Sequence, residues 1–281
     1  MPPTTLRRIA ALLLAVAVLA VAGAVGIGVR DWVRRGPTVA ARPPKTSVVV
    51  TAPPSATPTP PPAPVPTPTP TPTPLPPSAR ISVPFTIQAP FRNWDAAHEE
   101  YCEAAAAYMV GEYYAGHQYP NQYIPPATAD AAMGGMVAWE RATFPGVLNL
   151  PLSDMVQVGQ HFYGLTGTVQ PLDLSVIETD VAHGEPVIIP VMTHGGAGGS
   201  MINPGYGAEN VYHVLVIVGY DQASGTVYTN DAGLYTGQNL AYSWSTLQTA
   251  VQSMTQTAVD QSGVRVPTSQ GLSMLVFSKP G

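Results

Sequence analysis

The sequence has a single cysteine and few charged residues. Because Cys102 is the only thiol in 281 residues, an intramolecular disulfide framework is excluded, as is any metal site built from four cysteines. Charged residues make up 10% of the chain and the formal net charge is −5, which argues against a nucleic-acid partner. The chain is instead rich in proline, with 32 residues, and in hydrophobic residues, at 45%.

Charge and proline are unevenly distributed along the chain. Residues 1–79 carry a net charge of +6, whereas residues 80–281 carry −11. Seventeen of the 32 prolines lie between Pro37 and Pro77. These shifts predict an N-terminal membrane anchor or signal segment (1–34), a disordered linker rich in proline and threonine (35–79) and one domain (80–281), which is long enough to form its own core.

The first zone contains an uncharged, strongly apolar segment. It runs for 21 residues from Ile9 to Val29, enough for a helix to cross a hydrocarbon core of ~30 Å. We therefore predict a single transmembrane helix at about residues 9–29. A cleaved signal peptide is the alternative: its apolar region is usually shorter, but the small residues Ala22, Gly23 and Ala24 would suit a cleavage site.

The arginines beside this segment give opposing indications of its orientation. Arg30, Arg34 and Arg35 follow it and outnumber the basic pair before it, which by the positive-inside rule favours a cytoplasmic domain. The short basic N-terminal tail and the stalk-like linker favour export. We expect a single-pass cell-membrane protein with an extracytoplasmic domain, or a secreted protein if the segment is cleaved.

The linker alternates threonine and proline, most regularly at residues 66–74. Proline fixes φ and removes amide donors, so neither helix nor sheet forms and an extended polyproline II rod is expected. Such tracts are typical of extracellular stalks. We interpret the linker as a passive spacer rather than as a ligand for a proline-binding module, with contact to a cell wall as one consequence of its reach.

The domain combines helical and strand patterns. Helices are predicted at 127–143 and 153–162, a helix capped by Asp95 is predicted to run through Cys102, and a capping box is predicted at 175–178. Apolar strands are predicted at 186–192 and 211–219, the second followed by a turn at 221–225 and a returning strand. Helices followed mainly by strands indicate the α+β class.

Cys102 is the first candidate for chemistry. A thiol that stays unpaired in an exported domain is either buried or kept for its reactivity. Its place early on a helix favours the thiolate, whereas Glu99, Glu100 and Glu103 disfavour it. A histidine partner would therefore have to be close.

His213 is the best placed of the six histidines, because its apolar strand obliges the ring to find a partner. If Val218 pairs with Thr226, the hairpin puts His213 opposite Asp231 on one face. A carboxylate there would fix the imidazole tautomer. A structural histidine–aspartate pair in the core is the alternative.

Two further possibilities involve residues near Cys102. Gln88 lies fourteen residues before it, and a glutamine amide can donate to the oxyanion of a tetrahedral intermediate; an ordinary loop glutamine is the alternative. His98 and Cys102 have i, i+4 spacing, but no further clustered ligands complete a zinc site. We predict no metal and no organic cofactor.

Several stretches together resemble the family 39-like cysteine peptidases, relatives of the domain that removes double-glycine leaders from bacteriocin precursors. They cover nearly all of residues 81–277: the segment 83–91 with Asn93-Trp94, then Cys102-Glu103-Ala104-Ala105, Asn203-Pro204, the segment 212–221, and Asn230-Asp231-Ala232-Gly233. Many relatives have glycine where this chain has Glu103, and proline where it has Ala232. The transporter domains of the leader-processing relatives are absent from this sequence.

The resemblance implies a papain-like fold with the nucleophile on the first helix of the domain. By position, Cys102 matches the nucleophile, His213 the general base and acid, Asp231 the orienting residue and Gln88 the oxyanion donor. A membrane-anchored thiol hydrolase acting on a peptide or protein substrate follows. The alternatives are a non-catalytic module that binds peptide or cell-wall material, and a cell-wall amidase or transamidase with the same triad.

Overall fold

The computed structural model describes residues 74–196 and 199–279, and within them one mixed sheet-and-helix unit. Seven strands form the sheet in this part of the chain: β1 (Ser78–Arg80), β2 (Thr166–Pro171), β3 (Val187–Met192), β4 (Tyr212–Asp221), β5 (Thr226–Asn230), β6 (Leu240–Ser243) and β7 (Ser273–Ser278). Their order in the sheet is β2-β7-β3-β4-β5-β6, with β1 paired to β4. All their pairings are antiparallel. The predicted α+β class is confirmed.

Five α-helices accompany the sheet in the described ranges. They are α1 (Cys102–Ala115), α2 (Pro126–Thr143), α3 (Leu152–Tyr163), α4 (Leu174–Ala182) and α5 (Trp244–Gln256). Short 3-10 turns lie at His98–Glu100, Pro120–Gln122, Pro204–Tyr206 and Thr268–Gln270. The helices predicted at 127–143 and 153–162 are α2 and α3 to within a residue at each end.

The centre of the sheet is covered on both faces. Every residue of β3 is buried, and so are the first nine of the ten residues of β4. Since successive strand residues point to opposite faces, continuous burial requires packing on each side of the sheet. Helix α1 packs against β4, and α5 packs against β3. A polar side chain on β4 is therefore held inside the protein and must find its partner there.

The hairpin from β4 to β5 exists, but its predicted register is wrong. Asp221, not Val218, pairs with Thr226, because the turn is held by the Asp221 carboxylate, which accepts from the amides of Ala223 at 2.9 Å and Ser224 at 3.3 Å. Further along, the register shifts between Ile217 and Gly219.

The predicted capping box at 175–178 is also wrong. Helix α4 begins at Leu174 with Asp173 as its N-cap, and the Asp173 carboxylate accepts from the amides of Ser175 at 2.8 Å and Val176 at 3.2 Å. Aspartate caps helices as well as serine does, and this one comes two residues earlier.

The predicted membrane helix at residues 9–29 lies outside the described residues, as does the linker up to residue 73. Nowhere in residues 74–196 or 199–279 is a helix both long enough and apolar enough to cross a membrane. At the other end of the predicted linker, β1 begins at Ser78 and the carbonyl of Pro77 accepts from the Gln222 amide at 3.0 Å. Ordered packing thus includes the last residues assigned to the linker.

Candidate active site

Cys102 is the first residue of α1. The predicted continuous helix from Asp95 is two elements. The Asp95 carboxylate accepts from the amides of Ala97 and His98, at the start of a 3-10 turn whose N-cap is Ala97. Tyr101 then leaves helical dihedrals, with φ −99° and ψ 9°. This break gives α1 a new N-terminus, where unpaired backbone amides favour a negative charge. The first eleven residues of α1 are buried, so the thiol is held within the core.

His213 and Asp231 meet inside the protein. The imidazole Nε2 lies 2.9 Å from the Asp231 carboxylate, and the two residues are 3% and 0% exposed. His213 lies on β4, and Asp231 directly follows β5. The register Val216↔Asn230, continued by one residue, puts Asp231 opposite Leu215, so the contact with His213 is diagonal rather than directly opposed.

Two tyrosines that the sequence did not reveal complete the surroundings of Asp231. The Tyr206 hydroxyl donates to Oδ1 at 2.6 Å, and the Tyr242 hydroxyl donates to Oδ2 at 2.8 Å. The Gly233 amide donates to Oδ1 at 3.1 Å. Burial alone would raise the pKa of Asp231, but the hydrogen bonds and the charge of His213 outweigh it and lower that pKa.

Tyr206 and Tyr242 come from distant elements. Tyr206 ends a 3-10 turn that begins after Asn203. The side-chain Oδ1 of Asn203 accepts from the Gly205 amide at 2.9 Å. Tyr242 lies on β6, a short edge strand absent from the predicted elements. Asn203-Pro204 is among the stretches that carry the family resemblance, so the sequence drew attention to the turn that holds Tyr206. No feature of the sequence indicated a role for Tyr242.

The Cys102 thiol contacts the carboxyl group of its neighbour Glu103. Sγ donates to Oε2 at 3.0 Å, and Oε1 accepts from the Leu150 amide at 2.7 Å. Burial first, and then the charge of Glu103, raise the pKa of the thiol well above its usual value, while the backbone of Val214 acts in the opposite direction. Val214 follows His213 on β4, so the thiol and the imidazole belong to adjoining parts of the core.

Gln88 joins the segment before Cys102 to the segment after Asp231. Its side-chain nitrogen donates to the carbonyls of His98 at 2.9 Å and Glu99 at 3.0 Å, and its backbone amide donates to Ala232 at 2.9 Å. Its buried Oε1 has no hydrogen-bond partner within the described residues. The two hydrogens of the side-chain NH₂ group are both donated to these carbonyls. To donate to an oxyanion, the side chain must therefore give up its hydrogen bond to one carbonyl and form one to the substrate.

A cleft of about 660 Å³ opens beside these residues. Gln88, Tyr206 and His213 are among the described residues that line it, whereas Cys102 is not. Four carboxyl-bearing residues and two rim aromatics also line it: Glu99, Glu100, Glu209, Asp260, Trp94 and Tyr235. The imidazole thus reaches the cleft, while the thiol is turned toward Glu103.

His98, considered above with Cys102 as a possible pair of zinc ligands, contacts two aspartates. Its ring nitrogens contact Asp95 at 2.8 Å and Asp130 at 3.0 Å. Burial acts to lower the pKa of His98, but these two hydrogen bonds outweigh it and raise that pKa. In the part of the chain that the structure describes, no three His, Cys, Asp or Glu side chains are grouped to hold a metal ion.

A family model described as the Peptidase_C39 like family matches residues 80–259. Among solved structures, a candidate C39-like peptidase from Bacillus anthracis is similar at 14% identity and a TM-score of 0.43, over 73% of this chain and 98% of that one. Xylellain, a cysteine protease from Xylella fastidiosa, is similar at 13% identity and a TM-score of 0.43, over 74% and 88%. No curated protein sequence matches the chain.

Proposed function

The chain belongs to the peptidase C39-like family and is a cysteine peptidase, and from this premise we propose that Cys102, His213 and Asp231 form its catalytic triad. The observation that carries the proposal is the buried contact of 2.9 Å between His213 and Asp231. A histidine with a satisfied carboxylate partner and one edge at a cleft has the arrangement that proton transfer requires.

Asp231 determines which imidazole nitrogen is free to accept the thiol proton. Since Nε2 donates to the carboxylate, Nδ1 is the nitrogen left to accept the proton of Cys102. The resulting thiolate attacks the substrate carbonyl and forms an S–C bond, and His213 then donates its proton to the leaving amine. Water, deprotonated by His213, releases the acyl group and restores the thiol.

We assign stabilisation of the oxyanion to the backbone amide of Cys102 and to Gln88. The Cys102 amide belongs to the first turn of α1, where helical partners are missing. Gln88 lies at the cleft and is tied to the carbonyls that precede the nucleophile. Its donor role depends on releasing one of those carbonyls when substrate binds.

Thiol labelling tests the triad without knowledge of the substrate. Iodoacetamide should alkylate Cys102 below pH 7, and His213→Ala should abolish this selective reaction because the base is lost. His183→Ala is the matched control, since His183 is exposed at the end of α4. A thiol that reacts only after unfolding would contradict the proposal and favour a non-catalytic binding module.

The substrate is tested by comparing peptides with cell-wall fragments. We expect the protein to cleave members of a peptide library, and Cys102→Ser to lose that activity. Release of products from cell-wall fragments alone would replace the peptidase with an amidase. Transfer of the acyl group to an added amine in preference to water would identify a transamidase.

We further propose that residues 9–29 anchor the protein and that the domain faces outward. The support is the length of the apolar segment and the stalk-like composition of the linker. Protease added to intact cells should remove the domain. Full protection, with cleavage only after lysis, would mean that the domain is cytoplasmic.

A further inference from the structure

Glu103 is a buried carboxyl group that contacts the nucleophile and that the reaction above does not use. It is 2% exposed, its Oε2 lies 3.0 Å from Cys102 Sγ, and its Oε1 accepts from the Leu150 amide. No lysine, arginine or histidine among residues 74–196 and 199–279 forms an ion pair with it. A charged carboxylate without a counterion is costly in such a place, so burial raises the pKa of Glu103 to about 8.

The other ionisable groups that face this site do not neutralise it. Glu140 on α2 adds to the rise in the pKa of Glu103, and Glu100 adds to that of the thiol. Burial first, and then the charge of Glu103, raise the pKa of Tyr212 on β4. Burial raises the pKa values of Glu100 and Glu140, and the charge of Arg141 acts against that rise at both residues. The site therefore favours a neutral Glu103.

We propose that Glu103 is a positioning residue for the Cys102 thiol: as a neutral acid it donates a hydrogen bond to the thiolate, and as a carboxylate it holds the thiol as a donor turned away from the cleft. The inference rests on the proposed triad and adds a pH-dependent control to it. The Sγ–Oε2 contact of 3.0 Å fits either arrangement, because it fixes the two heavy atoms and a proton on either of them can lie between them.

The proton balance differs between the two arrangements. With Glu103 neutral, the thiol proton moves to Nδ1 of His213, and the carboxylic O–H stays on Oε2 and points at Sγ. The proton on His213 later leaves with the amine, and Glu103 keeps its own proton throughout. With Glu103 ionised, the same transfer would leave a thiolate beside a carboxylate, separated by about the present distance between Sγ and Oε2. The repulsion between these two negative charges disfavours the thiolate.

The test uses two substitutions with opposite expectations. In Glu103→Gln the amide oxygen can still accept from the Leu150 amide, and the NH₂ group can donate to Sγ, so this variant imitates the neutral acid at every pH. Glu103→Ala removes the donor. Glu140→Gln is the control, because Glu140 is also buried, with its pKa raised to about 7, and has no hydrogen bond to the thiol.

Iodoacetamide alkylation of Cys102 in the full-length protein, measured from pH 5 to 10, gives the readout. The wild type should lose rate above about pH 8, whereas Glu103→Gln should not. At pH 7, Glu103→Ala should react roughly tenfold more slowly than Glu103→Gln, as expected when one hydrogen bond to a charged group is lost. Glu140→Gln should still lose rate in alkaline solution, at a somewhat lower pH than the wild type, because Glu140 no longer raises the pKa of Glu103.

Two results would overturn the inference. One is superimposable pH profiles for the wild type and Glu103→Gln when the folded wild type does react, and the other is full reactivity of Glu103→Ala at pH 7. Failure of the proposed function looks different: Cys102 would then react only after unfolding, or His213→Ala would be as reactive as the wild type. Because alkylation needs no peptide substrate, the role of Glu103 is decided whatever the natural substrate is.

Discussion

The two oxygens of Asp231 depend on different donors, and this predicts unequal effects of two similar substitutions. Oδ2 accepts from Tyr242 at 2.8 Å, and within the described residues it has no other donor. Oδ1 accepts from Tyr206, His213 and Gly233. Replacing Tyr242 with phenylalanine therefore leaves one oxygen of a fully buried carboxylate unpaired, whereas replacing Tyr206 leaves two donors on the other oxygen.

The number of donors that remain sets the size of the expected difference. Tyr242 is 4% exposed, so water cannot replace its hydroxyl, whereas Oδ1 keeps the His213 and Gly233 donors in Tyr206→Phe. Loss of the last donor to a buried charge costs about 1.5–3 kcal/mol, and loss of one donor among three about 0.5–1.5 kcal/mol. We expect Tyr242→Phe to lower the free energy of unfolding by about 2–3 kcal/mol and Tyr206→Phe by about 1 kcal/mol.

Urea denaturation of both variants at pH 7 and in acid tests this prediction. The folded-state pKa of Asp231 is lowered, so the stability that its donors supply is present above its usual pKa of 3.8 and is lost as the pH falls through the lower folded value. The loss in Tyr242→Phe should therefore shrink in acid. Equal losses at pH 7, or a larger loss in Tyr206→Phe, would refute the reasoning.

Two further predictions concern α1. In Gly111→Ala the new Cβ would lie 2.1 Å from the Tyr163 ring, so we expect urea denaturation to show a free energy of unfolding lower by about 1–3 kcal/mol. Gly135→Ala on α2 has nothing within 4 Å of its new Cβ, and its free energy of unfolding should rise by up to about 1 kcal/mol. A change of the same sign in both variants would contradict the packing. Burial raises the pKa of Glu103 from 4.5 to about 8, so wild-type stability falls as the pH rises between these values, and Glu103→Gln should be the more stable protein above pH 8, by on the order of 3–5 kcal/mol. Stability curves that stay parallel from pH 5 to 9 would show that Glu103 does not titrate in this range.

Features that depend on one local signal were predictable, and features that depend on tertiary contacts were not. The apolar run of β4 and the helical patterns of α2 and α3 each identify an element to within a few residues. Strand β2 was not predicted, because its alternating pattern is exposed and weak and it is stabilised by pairing with β7. The Tyr242 hydroxyl reaches Asp231 only because β6 pairs with β5, and that pairing is a tertiary contact.

The contact between His213 and Asp231 depends on one extra residue in β4. At the turn, Asp221 pairs with Thr226, and this register continued without interruption would put Asp231 opposite Val216, on the face away from His213. The irregularity at Val218 shifts the pairing by one residue, so Asp231 comes opposite Leu215 instead.

Residues 213 and 215 share a face, because side chains alternate along a strand. The predicted register was wrong by two residues at this end of the hairpin, an even number, and an even shift leaves the face unchanged. The expected contact between His213 and Asp231 is therefore present, although the predicted pairing is not. What the sequence pattern determined was the face of the strand, and what only the folded hairpin could supply was the bulge that keeps His213 and Asp231 on it.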